Sequence, residues 1–376
     1  MLSETEYSYA SSQRQYFIEN GANATYFQWL QSKGTNFTCY LEYLNSLSKE
    51  QRLDNKIEVI RTIIYALHRP IQFIFFYWTI LIFILHKFNL RKPVMRIILI
   101  HFILRSLGDV IDKFGDLMPR YFSNDPIKDN QGNIIGYKCK YDSPAPEMHP
   151  LRWMVTRQIG CVLWCFGEMV GDWYPLLRTR AVAKKQKSMW LVYISCGLFN
   201  LSKIALISVH FSLSPTQLYD KQGVYRKKRV NKFYFTYWLI QLLIIYASMI
   251  YDCTVYFVLR KNLSGIVKNS SGFIKKFKTV SEYRILVSAF VGITFLPLVS
   301  FTIIAKYYYY YKYQYDDLNF SFDEIRKSIN NVQYYMIFID QILLLHSKDQ
   351  TINSKTSPFP GSNNPYFVKK IYIQYL

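Results

Sequence analysis

Long apolar runs alternate along this chain with short polar segments, most of them basic. The first run lies near Ala66–Leu85, has FIFFYWTILIFIL at its centre, and reaches the ~20 residues that a membrane-crossing helix needs. Further runs follow at about Ile97–Leu117, Trp153–Leu177, Met189–Phe211, Phe233–Leu259, Tyr283–Ala305 and Ile329–His346. The pattern predicts an all-α, polytopic membrane bundle of seven transmembrane helices over 66–346. Residues 1–65 become an extracellular or lumenal tail and 347–376 a cytoplasmic tail. The second and seventh runs are the weakest, one being charged and the other short, with Asn330 and Asn331 at its start.

The third run is the centre of the pattern. Arg157, Cys161, Glu168 and Asp172 recur at helical steps and share one stripe. Gly167 and Gly171 form a GxxxG pair, with Gly160 two turns earlier, which predicts close approach of another helix. Arg178, Arg180, Lys184, Lys185 and Lys187 follow without an acid, as at a cytoplasmic end. In the sixth run Pro297 predicts a kink or interruption.

Lys and Arg are denser in the segments that an outside N-terminus would place inside, so that orientation is expected. The loop YRKKRVNK runs against it. The opening MLSETEYSY has neither a basic start nor an apolar core, so the first span is expected to act as its own signal anchor.

Composition sharpens this picture. The chain is 51% hydrophobic and 18% aromatic, too aromatic for an ordinary soluble protein, and its net charge is +21. Because the basic residues sit in short runs beside apolar segments, they fit anionic lipid headgroups better than nucleic acid. A bilayer is therefore the expected partner, in the plasma membrane or another secretory-pathway membrane. Cys161, Cys165, Cys196 and Cys253 lie in apolar runs and read as small hydrophobes. Cys39 and Cys139 lie in polar segments on the expected outer side and form a candidate disulfide. Asn23, Asn36 and Asn319 are candidate glycosylation sites on that side.

Charge at membrane depth is expensive and normally pairs or faces a cavity. On the second run His101, Arg105 and Asp109 share a face. Counting depth from Arg96 and Leu177 at roughly 1.5 Å per residue pairs Arg105 with Glu168 and His101 with Asp172. Arg157 is then expected nearer Asp109 or Asp112. Such pairs serve either to lock two helices or to open as a switch.

Seven spans, a tail with sequons, basic inner loops and Asp172 at the end of the third run resemble a G-protein-coupled receptor. Rhodopsin-like receptors read Asp-Arg-Tyr there, where this chain reads Asp172-Trp173-Tyr174. Phe295-Leu296-Pro297 shares the proline of the family's Cys-Trp-x-Pro. The resemblance implies an extracellular ligand, a cytoplasmic signalling partner at the basic inner loops, and signalling by helix rearrangement. The alternative is a transporter or channel that uses the same charges as a polar pathway. No cofactor, metal box, phosphate-binding glycine loop or nucleophile elbow is legible, so no enzyme activity is expected.

Overall fold

A computed structural model describes residues 4–19, 23–141, 146–182, 186–267, 273–313, 326–328, 331–335, 337–343 and 345. It is mostly helical. The helices are α1 (Glu4–Ser12), α2 (Tyr26–Gln31), α3 (Phe37–Ser46), α4 (Lys49–Gln72), α5 (Phe76–Leu85) and α6 (Pro93–Phe114). They continue as the single turn α7 (Pro150–Arg152), α8 (Gly160–Val182), α9 (Gln186–Ser212), α10 (Lys227–Val267) and α11 (Phe273–Tyr313). A π-helical stretch, Trp153–Ile159, joins α7 to α8. The long polar loop also holds a hairpin the hydropathy pattern did not predict, β1 (Ser123–Lys128) and β2 (Ile134–Lys140). Asp129 builds its turn by accepting from the Gln131 and Asn133 backbones, and Gly132 takes the left-handed conformation there.

The chain divides into two compact units. The first comprises Met1–Phe73, Arg105–Trp164 and Ile207–Tyr237, and the second Ile74–Leu104, Cys165–Leu206 and Trp238–Leu376. Part of the expected N-terminal tail is built into a core of the first unit.

In the first unit that core gathers Trp29, Tyr121, Trp153, Leu218, Tyr219 and Phe233, drawn from the tail, both polar loops and helix ends. Trp29 stacks on Tyr219 at 5.9 Å, and the Trp153 indole donates to the Leu213 carbonyl at 3.0 Å. Thr35 donates to the Gly223 carbonyl at 2.9 Å. A Cβ on Gly223 would meet Thr35 Oγ1 at 2.5 Å, and its φ of +74° favours glycine besides.

In the second unit many apolar side chains face outward while several polar ones are buried. On α9, Trp190, Leu191, Ile194, Leu198 and Leu201 are exposed, whereas Ser195, Ser202 and Lys203 are buried. On α10, Leu239, Leu243, Ile250 and Phe257 are exposed, whereas Gln241, Ser248 and Asp252 are buried. Ile245 of α10 packs on Leu296, Val299 and Ile303 of α11.

Among the described residues two helical stretches are long and apolar enough to cross a membrane, Met189–Ser212 and Lys227–Asn262. A third arises if α4 and α5 form one bent span. That number does not support the expected seven. Arg96, Arg105, Asp109, Asp112 and Lys113 make α6 too charged, and Glu168 and Asp172 dilute α8. The expected first span is interrupted, with α4 ending at Gln72 soon after Pro70 and α5 beginning at Phe76. The reverse holds for the sixth, since α11 continues through Pro297 as one helix. Part of the expected seventh span and the whole cytoplasmic tail lie outside the described residues.

Candidate functional site

The second unit holds a cluster of buried charge. Glu168 and Asp172 stand one turn apart on α8, both buried, because a spacing of four puts them on one face. Lys203 of α9 is wholly buried between them, with Nζ 2.6 Å from Asp172 Oδ2 and 3.4 Å from Glu168 Oε2. Its ammonium also lies 4.2 Å from the centre of the Phe199 ring, one turn earlier. Arg326 reaches Glu168 from the C-terminal segment at 3.3 Å. Two carboxylates thus face two cations.

The same segment supplies partners throughout. The Tyr334 hydroxyl donates to the Glu168 carbonyl at 3.4 Å and lies 3.5 Å from Asp172 Oδ1. Gln333 donates to Ser248 and to Asp252, each at 2.8 Å. Asp340 pairs with Arg178 at 2.7 Å and accepts from the Tyr174 hydroxyl at 3.0 Å. The Tyr251 hydroxyl donates to the Asp172 carbonyl at 2.9 Å. Burying an ion costs several kcal/mol, which opposed charges and hydrogen bonds of this kind offset.

The sequence-derived pairs fare differently. His101 and Asp172 are not matched as expected. The His101 ring sets Nδ1 2.8 Å from the Gly167 carbonyl and packs 4.4 Å from Tyr334, while Asp172 turns to Lys203. Arg105 belongs to the first unit and Glu168 to the second, so their pairing stays an expectation. Within the first unit Arg105 sits 5.9 Å from the Phe73 ring centre, and Asp109 accepts from the Trp164 indole at 2.9 Å. Arg157 lies in the π-helical stretch and shares the first unit with Asp109 and Asp112. Arg178, the first residue of the basic run expected at a cytoplasmic end, is buried and paired with Asp340.

The glycines work locally. Gly160 faces the Gly108 carbonyl of α6, 4.0 Å from where a Cβ would stand, so two helix backbones approach there. Gly167 offers its carbonyl to His101, and Gly171 makes room for Tyr334.

Cys39 and Cys139 form a disulfide with Cα atoms 5.3 Å apart, as expected. Asn36 caps α3 by accepting from the Cys39 backbone at 3.0 Å and donates to Asn124 at 2.7 Å. Asn124 in turn pairs with Cys139 across the hairpin, so one amide sets both cysteines in register. The Asn36 side chain is therefore engaged on both its oxygen and its nitrogen. Asn23 is exposed, and Asn319 lies outside the described residues.

Among the described residues no group of His, Cys, Asp and Glu could hold a metal ion. Neither a protein-family model, nor a curated protein, nor a solved structure matches this chain. Function therefore has to be argued from the site. Lys203 was the residue to find, because it is the one charge inside an otherwise apolar stretch and such a charge calls for a partner.

Proposed function

We propose that the chain is an integral membrane protein of receptor-like kind, which transmits a signal by rearranging helices around the Glu168–Asp172–Lys203 cluster. The exposed apolar side chains of α9 and α10, beside the buried Lys203 and Asp252, support the membrane half, since lipid is the solvent in which an apolar outside and a paired charge inside are stable. Compensation of Glu168 and Asp172 by Lys203 lets α8 lie in a bilayer although its composition alone argues against it. The tail, the hairpin loop and the α9–α10 loop share the first unit, as an alternating topology requires of segments on one side.

The carrying observation is the position of Lys203. It is wholly buried, bonded to both acids of α8, and its cluster is joined by Arg326 and Tyr334 of the C-terminal segment. In this reading the cluster is made in one state and broken in another, and a ligand that favours one would shift the helices together. The extracellular ligand and a cytoplasmic partner at the basic loops belong to this proposal.

A transport role uses the same charges as a path. Spin labels on α8 and α9 of the protein in nanodiscs, with proteoliposome flux measured in parallel, separate the two readings. The receptor reading expects two interspin distances, whose ratio moves in Glu168→Gln, and no flux. One unchanging distance together with dissipation of an ion gradient overturns it.

A further inference from the structure

The turn between α5 and α6 opens on a cavity of about 520 Å³, lined by Leu85, His86, Lys87, Asn89, Arg91, Lys92 and Leu345, with no acid among the described lining residues. Its backbone is unusual. Lys87 and Phe88 both have φ of +52°, the left-handed region that residues with a Cβ seldom occupy, least of all in succession. The turn is nonetheless held tightly. The Lys87 and Phe88 backbones donate to the carbonyls of Ile84 and Phe83, and Asn89 accepts from the Arg91 backbone at 3.1 Å. Lys92 Nζ lies 3.0 Å from His86 Nδ1, which fixes that ammonium at the cavity wall. Lys87, Asn89 and Arg91 are exposed.

Directly after Lys92, α6 begins at Pro93, and its 22 residues put the positive end of the helix dipole on the same side as these cations. Three positive side chains, a helix start and a backbone constrained to hold them are the components of an anion site. A loop that merely obeyed the positive-inside bias would need neither the strained turn nor the cavity. The preferred anion is compact, doubly charged and rich in acceptors, because the donors converge on one cavity and not along a surface.

We infer that this turn binds a phosphate monoester. Its source is a phospholipid headgroup that carries a phosphate monoester, or a soluble phosphate. The detergent-solubilised full chain is titrated with dioctanoyl phosphatidylinositol 4-phosphate, dioctanoyl phosphatidylserine, dioctanoyl phosphatidylcholine and inorganic phosphate, and adducts are measured by native mass spectrometry. The monoester lipid should bind in preference to both diesters. Each basic side chain at an anionic headgroup contributes about fivefold in affinity, so Lys87→Gln with Arg91→Gln should weaken binding about 25-fold. Inorganic phosphate binding as tightly as the lipid assigns the soluble source, and much weaker binding assigns the membrane. Arg91→Gln alone, expected to lose about fivefold, serves if the double variant does not fold. Unchanged affinity in a folded variant, or equal binding of the diesters, overturns the assignment.

Discussion

A Cβ on Gly171 would stand 2.6 Å from Cε1 of the Tyr334 ring and 3.1 Å from His101 Nδ1. The glycine is therefore a seat for the tyrosine that links the C-terminal segment to Asp172. Gly171→Ala should cost about 1–3 kcal/mol by overpacking, and Tyr334→Leu in the same chain should recover part of it. Gly197→Ala is the control, since nothing among the described residues lies within 4 Å of its Cβ position. Thermal unfolding of the solubilised variants decides this, and equal effects at the two glycines would refute the contact.

Lys203 provides the second test. Lys203→Met leaves two buried carboxylates with Arg326 as the remaining cation of the four-residue cluster, and should destabilise the protein by about 3–5 kcal/mol. Adding Asp172→Asn should return a large share of that loss. A strictly additive double variant would show that the two residues do not interact.

The disulfide closes a loop over a sequence separation of 100 residues. In the chain-entropy model such a closure contributes about 4.7 kcal/mol, so Cys39→Ser or Cys139→Ser should lower the unfolding temperature strongly. Mass mapping without reductant should recover the two cysteines in one linked peptide.

His149 makes the first unit sensitive to acid. Burial first, and then the neighbouring Arg152, push its pKa down to about 4, so the imidazole is neutral in the fold and caps α7 by accepting from the Arg152 backbone. The unfolded chain protonates near pH 6.5 and the folded one near 4, so this contribution is complete above 6.5. It is lost as pH falls through that window, by about 3 kcal/mol at the bottom. His149→Asn keeps a capping side chain and should flatten stability between pH 4 and 6.5 relative to the parent.

The sequons give a test of orientation. Asn23 is exposed, whereas the Asn36 amide is spent on Cys39 and Asn124. With the tail outside, Asn23→Gln should abolish a glycosidase-sensitive mass shift that Asn36→Gln leaves in place. No shift in the parent protein would argue for the opposite orientation.

Helical periodicity is a local property, so the helices over the apolar runs and the common face of Glu168 and Asp172 were legible from residue spacing alone. Cys39 with Cys139 was legible as well, because the other four cysteines fall in apolar runs. Pro297 does not end α11, since a long apolar helix can carry a missing hydrogen bond and continue. The partner of Asp172 was not legible. Matching depths along two helices constrains one coordinate, and it says nothing of which third helix turns its face inward. Tertiary packing chose Lys203 over His101 because the lysine stem places an ammonium 2.6 Å from the carboxylate, while His101 is taken up by the Gly167 carbonyl. Arg178 likewise reads as a flank until Asp340, distant in sequence, is folded against it. The sequence alone determined where charge had to be buried. Only the fold decided which opposite charge would meet it, because that depends on how helices far apart in the chain are rotated toward one another.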